Sequence, residues 1–228
     1  MTSKARKDGF PVFAYSSLDD QAPILSSLIF RTKPGHRATL SLKSAFNISG
    51  HNDARFILQI KPGDLEPGQN SWTQAGISPP QERLDKLQRQ GNPNIRTLCI
   101  TLAQPCSAWY SASMTTTPLR GMHPAFDKLA SLATASKLYL LFDMNWLGGN
   151  EKKEIFEEFI GHPHRFTACP VEEYYVKEYK HLDLALYDAP AYRDSTTDEE
   201  DPTPPYSGAT VKRVRRSVSF DSKVFDID

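Results

Sequence analysis

The stretch "ILSSLIFRTKPGHRATLSLKSAFNISGHNDARFILQIK", residues 24 to 61, decides the expected fold of this chain. It contains three apolar segments of strand length, at residues 24–33, 38–48 and 54–61. Short turn sequences separate them, Pro-Gly in one case and Ser-Gly-His-Asn-Asp in the other. Proline fixes φ, and glycine, asparagine and aspartate accept positive φ, so these are turn residues for stereochemical reasons. The stretch therefore predicts an antiparallel meander of three strands.

The side chains of this meander alternate along its second and third strands. One face carries Leu40, Leu42, Phe56, Leu58 and Ile60, and the other is more polar, with Ser41, Lys43, Ile57 and Gln59. An alternation of this kind is typical of an antiparallel sheet that buries one face. We therefore expect the first of these faces to pack on a hydrophobic core.

Downstream of the meander, a short helix is predicted at residues 79–90. Ser78 is placed to cap it, Pro79 suits its first turn, Gln81 completes a capping box, and Gly91 ends it. Its strong apolar positions are Leu84 and Leu87, so it should lie on the surface with a narrow stripe facing inward. A fourth strand is predicted at residues 95–102, and residues 108–114 continue or follow it.

The second half of the chain alternates between helix and strand signals. Apolar stripes of helical period predict helices over residues 123–136 and 150–162. Between them, "KLYLLFDMN", residues 137–145, is a continuous apolar strand, which should be central and buried. A last extended piece is expected at either 166–171 or 174–186.

These elements predict an α+β fold class. We expect an antiparallel or mixed sheet with a strand-rich N-terminal half, two to three helices, and a disordered C-terminal tail. The predicted organisation is a flexible N-terminus at residues 1–19, a single α+β domain at 20–187, and the tail at 188–228. Prolines, acidic residues and the absence of an aliphatic stripe indicate that this tail buries too little surface to offset chain entropy.

Composition favours an intracellular, soluble protein. Lysine plus arginine equals aspartate plus glutamate at 27 each, so the net charge attracts neither nucleic acid nor an anionic membrane. The three cysteines, Cys99, Cys106 and Cys169, are an odd number without a close pair, and residues 1–22 lack the apolar run of a signal peptide. We expect the protein in the nucleus or the cytoplasm, with no membrane or nucleic-acid partner.

The folded part carries no catalytic signature, and no cofactor is expected. Metal ligands are suggested only by "HPHRFTAC", with His162, His164 and Cys169, and the alternative is a plain loop after a helix. Cys99 lies in an apolar strand, and Cys106 has no nucleophile signature around it. A non-enzymatic protein is favoured, and the alternative is an enzyme of unrecognised type with a site near His162, His164 and Cys169.

A basic cluster stands out within the predicted tail. Lys212, Arg213, Arg215 and Arg216 match a short nuclear-import signal, in which extended cations enter acidic grooves of an import receptor. The alternative is a solvated run of charge. We predict import, with the import receptor as a protein partner.

Two further features overlap that cluster. Arg216, Val218 and Phe220 resemble the motif by which regulators dock on protein phosphatase type 1, which binds as an added strand with Val and Phe on the same side. Ser217 and Ser219 follow arginines, as basophilic kinases prefer. A phosphate on either would add about −1.5 to −2 charges to the cluster and weaken both interactions.

The layout as a whole, a compact α+β domain followed by proline–tyrosine stretches such as "TPPY" (203–206) and a basic, serine-containing end, resembles uncharacterised proteins of filamentous fungi. The resemblance extends over the chain as a layout, carries no diagnostic motif and implies no activity. The sequence therefore predicts an intracellular, non-enzymatic interaction protein, acting in the nucleus and regulated through its basic tail. It leaves the oligomeric state open.

Overall fold

A computed structural model describes residues 9–19, 22–48, 51–73, 77, 79–89, 91–114, 123–169 and 178–184. The chain divides into two compact units, residues 1–191 and 192–228, and all of the described residues belong to the first. The tail predicted at 188–228, with its import, docking and phosphorylation residues, lies outside the described residues.

The described chain forms one antiparallel sheet with three α-helices. The strands are β1 (Phe10–Tyr15), β2 (Ile24–Lys33), β3 (Arg37–Ile48), β4 (His51–Ile60), β5 (Ser71–Thr73), β6 (Ile95–Thr101), β7 (Ser107–Ser111), β8 (Lys137–Asp143) and β9 (Tyr179–Leu182). The helices are α1 (Gln81–Leu87), α2 (Pro124–Thr134) and α3 (Asn150–Gly161). The strand order is β5-β6-β8-β1-β2-β3-β4-β7-β9, and every neighbouring pair is antiparallel.

The predicted meander is confirmed, since β2, β3 and β4 are consecutive neighbours in the sheet. Their register places Leu28 opposite Leu42 and Leu42 opposite Leu58, so the apolar residues of one face line up across the three strands. The expectation of a strand-rich N-terminal half is too narrow, however. Strands β7, β8 and β9 come from the second half of the described chain, because long-range pairing returns them to both sides of the meander.

The flexible N-terminus expected at residues 1–19 requires a correction. Residues Phe10–Tyr15 form β1, which lies inside the sheet between β8 and β2. Five of its six residues are buried, because a strand with neighbours on both sides and packed elements on both faces is shielded all round. The folded domain therefore begins before residue 20.

The sheet is strongly curved. This follows from one short connection, which joins two strands that lie far apart in the strand order of the sheet. Five strands separate β6 from β7, which in a flat sheet would amount to about 29 Å at roughly 4.8 Å a step. The connection, residues 102–106, reaches about 21 Å at most. Along its path, the amides of Leu102 and Cys106 donate to the carbonyls of Ser136 and Ala133 at the end of α2. The sheet therefore curls toward the face that carries α2.

Helices α2 and α3 fill this curved face. Phe126 from α2 lies 5.5 Å from Phe56, measured between ring centroids, and Phe156 from α3 lies 5.0 Å from Phe30. Phe142 of β8 is fully buried here. The expectation that β8 is an interior, buried strand is thereby confirmed, with Leu140 also fully buried.

The short helix α1 packs on the opposite face of the sheet. Its Leu87 is fully buried in a small cluster with Phe13, Tyr15 and Leu141, while Leu84 is partly buried beside it. This matches the narrow apolar stripe predicted for the helix, although the helix is shorter than residues 79–90. Pro80, rather than Ser78, occupies the N-cap position, and no side chain caps the helix there.

Candidate functional site

A cleft of about 750 Å³ lies beside α1. We name it the α1 cleft. Its described lining residues come from β5, β6, β8, α1 and the adjoining segments. They are Trp72, Thr73, Ile77, Pro79, Leu84, Asn94, Ile95, Arg96, Thr97 and Leu141.

One wall of the α1 cleft is held in place by the C-terminal end of α1. The indole nitrogen of Trp146 donates to the carbonyl of Leu87 at 2.7 Å. Arg89 follows the helix, lies over the Trp146 ring at 5.7 Å, and donates from Nη1 to the carbonyl of Asn145 at 2.6 Å. These contacts tie the end of α1 to the turn after β8, so Leu84 is held against the sheet.

The buried carboxylate of Asp143 fixes the far rim of the cleft. Its Oδ2 accepts the amide of Arg89 at 2.9 Å, and its Oδ1 accepts the amides of Asn94 and Asn145 at 3.0 Å each. The side chain therefore binds both ends of the connection between α1 and β6. Since its oxygens are taken up by backbone amides, Asp143 acts as a structural anchor of the cleft.

Electrostatically, the α1 cleft is defined by Arg96. It is the only charged residue among the described residues that line the cleft, and its side chain is exposed. The guanidinium Nε donates to Oδ1 of Asn94 at 3.2 Å, so the rim fixed by Asp143 also orients the cation. Around it lie apolar groups such as Leu84 and Leu141. The arrangement can hold an anionic group next to an apolar one.

Asp64 and Cys106 form a second buried polar group, beside the connection between β6 and β7. Oδ2 of Asp64 accepts the amide of Lys61 at 2.7 Å, and its Oδ1 accepts from Nε2 of Gln104 at 2.6 Å. Burial, reinforced by the nearby Asp64 charge, raises the pKa of Cys106 to about 12. This thiol is therefore protonated at neutral pH and is no activated nucleophile.

The predicted metal candidates are not brought together. His162 and His164 are exposed around the turn after α3, with ring centroids 6.0 Å apart. Cys169 is buried on the opposite side of the sheet, where its backbone bonds to Thr39 and Gln59. In the described portion of the chain, no three histidine, cysteine, aspartate or glutamate residues form a group that could hold a metal ion.

The remaining sequence candidates belong to the basic cluster, and none of them is described. Lys212, Arg213, Arg215 and Arg216, the docking residues Val218 and Phe220, and the serines Ser217 and Ser219 all lie outside the described residues. Among the described helices, none is long and apolar enough to cross a membrane.

No sequence pattern indicates the α1 cleft. Trp72, Asn94 and Arg96 carry no motif, and strand β5, which brings Trp72 to the cleft, is only three residues long. Asp143, which ends an unbroken apolar strand, was one sequence signal of a fixed polar site. A carboxylate buried at the end of a strand needs hydrogen-bond donors. Two of its three donors are 49 and 54 residues away in sequence, so local spacing did not reveal them.

The chain matches no protein-family model, no curated protein and no solved structure.

Proposed function

We propose that this is a non-enzymatic interaction protein that acts in the nucleus and recognises protein partners at two places. The first is the α1 cleft of the folded domain. The second is the basic cluster of residues 212–220, which engages an import receptor and protein phosphatase type 1.

The observation that carries this proposal is the lining of the α1 cleft. Apolar side chains, neutral polar side chains and the single cation Arg96 make up its described lining. Such a combination suits a protein segment that places an acidic side chain on Arg96 and an apolar one against Leu84 and Leu141. Meanwhile the buried carboxylates Asp64 and Asp143 bind backbone amides and so already have a structural role.

The basic cluster supplies the nuclear part of the proposal. Four cations lie within five residues, Lys212 to Arg216, and this density of positive charge allows binding to an acidic groove of an import receptor. Phosphorylation of Ser217 or Ser219 would lower that density and serve as the regulatory step.

The experiment is quantitative affinity purification with three forms of the full chain: the wild type, Arg96→Glu and Lys86→Glu. Lys86 is also exposed and lies on α1, but it does not line the cleft, so it controls for a change of charge. We expect Arg96→Glu to lose partners that Lys86→Glu retains, with thermal midpoints unchanged. Identical partner sets for all three forms would rule out the cleft as a partner site.

A second arm tests the basic cluster separately. The double variant Val218→Ala, Phe220→Ala should lose the phosphatase and keep the partners that depend on Arg96. Loss of the same partners in both arms would show that one surface, rather than two, recognises them.

A further inference from the structure

Among the α-helices of the described chain, α2 alone has a side chain bonded at its N-cap. The N-cap residue is His123, whose ring nitrogen Nδ1 accepts the backbone amide of Ala125 at 3.2 Å. Pro124 follows at the start of the helix. Neither α1 nor α3 has a side-chain hydrogen bond at its N-cap. The start of α2 therefore depends on one imidazole nitrogen.

The His123 ring also joins α2 to the sheet. It is stacked on Phe46 of β3, with ring centroids 6.1 Å apart and ring planes 8° apart. Phe46 is in turn stacked on Phe56 of β4 at 4.9 Å, and Phe56 lies 5.5 Å from Phe126 in the first turn of α2. The helix cap and the attachment of this first turn to the sheet thus share one side chain, His123.

The cap hydrogen bond requires a neutral ring. A neutral imidazole has one N–H and one nitrogen that accepts, so the proton of His123 lies on Nε2 when Nδ1 accepts from Ala125. When the ring binds a second proton, Nδ1 becomes a donor that faces the N–H of Ala125, and the cap bond is lost. The added positive charge also lies at the positive end of the helix, where a cation is unfavourable.

The groups around the ring oppose this effect only weakly. On α2, Nζ of Lys128 donates to the carbonyl of Ala22, and Asp127 lies four residues after His123 without an ion pair between them. From the sheet, Phe46 is uncharged, and at 6.1 Å its ring is at the limit for attracting a cation. A helix cap contributes more to stability than one exposed charge pair four residues apart. The loss of the cap therefore decides what the proton does.

We propose that His123 is a pH-sensitive latch, which holds the first turn of α2 on the sheet when it is neutral and releases this turn when it is protonated. The released form binds the proton without losing a cap bond, so acid favours it. The stability of the turn therefore falls as pH falls. This inference goes beyond the proposed function, because it involves neither the α1 cleft nor the basic cluster.

The first measurement is NMR spectroscopy of the full chain with nitrogen-labelled imidazole rings. At pH 7.5, the His123 ring should carry its proton on Nε2. As pH is lowered to 5.0, across the range in which histidine side chains titrate, the amide signal of Ala125 should shift along the same curve as the His123 ring. In His123→Asn, whose side-chain oxygen caps a helix without titrating, the Ala125 signal should lose this response.

The second measurement is the thermal midpoint of unfolding. Between pH 7.5 and pH 5.0, the midpoint of the wild type should fall by roughly 2–4 °C more than that of His123→Asn, which is the shift that one helix cap gives in a chain of this size. His164→Asn is the matched control, because His164 is exposed on the turn after α3 and caps no helix. It should respond to pH as the wild type does.

Four results would overturn the proposal. The first is a ring proton on Nδ1 of His123 at pH 7.5, and the second is an Ala125 signal that does not follow the titration of the ring. The third is an equal response of the wild type and His123→Asn to pH. The fourth is a smaller fall of the midpoint in the wild type than in His123→Asn, because Asp127 would then stabilise the protonated ring.

Discussion

Thr39 and Cys169, 130 residues apart in sequence, are joined by reciprocal hydrogen bonds. The amide of Cys169 donates to Oγ1 of Thr39 at 2.7 Å, and the same hydroxyl lies 3.0 Å from the Cys169 carbonyl, to which it donates. Nε2 of Gln59 donates to that carbonyl at 2.9 Å. One buried threonine thus attaches the segment after α3 to the outer side of β3 and β4.

Thr39→Val should therefore destabilise the protein. Valine keeps the shape of threonine but leaves the buried amide of Cys169 without its acceptor, which costs about 1–3 kcal/mol. The measurement is the free energy of unfolding by denaturant titration. Ser41→Ala, two residues along the same strand and only partly buried, is the control, and it should change stability by less than about 0.5 kcal/mol. Equal effects of the two substitutions would contradict this role of Thr39.

Phe142→Ala should cost about 3–5 kcal/mol, because it opens a cavity where surrounding rings are fixed. The Phe142 ring lies 5.4 Å from Phe10, 5.9 Å from Trp72 and 6.1 Å from Phe156, between centroids. Phe142→Leu, which retains most of the volume, should cost much less. A loss below about 1 kcal/mol for the alanine variant would mean that the core closes around the gap.

The cysteines should differ sharply in reactivity. Cys99 is partly exposed, whereas Cys106 is buried and its pKa is raised to about 12. At pH 8, a thiol-alkylating reagent followed by peptide mass spectrometry should modify Cys99 first and leave Cys106 unmodified in the folded protein. If Cys106 is modified as fast as Cys99, the region around the connection between β6 and β7 opens readily.

The same thiol adds a pH dependence to stability. Because burial raises its pKa in the folded state, the unfolded chain loses this proton first, and stability falls as pH rises from about 9 toward about 12. Below about pH 9 the contribution is fully present. Cys106→Ala should flatten this part of the curve relative to the wild type.

Much of the meander could be predicted from the sequence because its determinants are local. Pro34-Gly35 forms the turn between β2 and β3, and the alternation in β3 and β4 assigns each residue to a face. Strand β1 was missed because β8, which pairs it on one side, lies more than 120 residues away. The α1 cleft was missed for the same reason, since Asp143 brings α1 and β6 together only in the folded chain.

The basic cluster should direct nuclear accumulation. Because a protein of 25.6 kDa can diffuse through nuclear pores, the test uses residues 207–228 fused to a reporter too large to diffuse. Replacing Lys212, Arg213 and Arg215 with alanine removes the cations that an acidic receptor groove binds, so this fusion should stay in the cytoplasm. Equal nuclear fractions of the two fusions, measured by fluorescence microscopy, would remove the import proposal.

Phosphatase docking should depend on the spacing of Val218 and Phe220. In an added strand, residues two apart project to the same side, so Val218→Ala with Phe220→Ala should weaken binding of the type 1 catalytic subunit by roughly thirtyfold or more. Val224 and Phe225 provide a matched control, because they are the same residue types without the intervening residue. If calorimetry shows that both double variants lose the same amount of binding affinity, the docking motif is excluded.

The pairing of β1 with β8 has a consequence for the order in which the chain can fold during its synthesis. Tyr15 pairs with Tyr139, which lies 124 residues further along the chain. One edge of β1 therefore stays unpaired until β8 has been synthesised. At roughly 5–20 residues per second, the ribosome needs about 6–25 s to reach it. During that interval β1 to β4 can already pair with one another, leaving Phe13 and Tyr15 on an open strand. Newly made chains thus pass through a period in which one edge of β1 is unpaired, and it ends when β8 emerges.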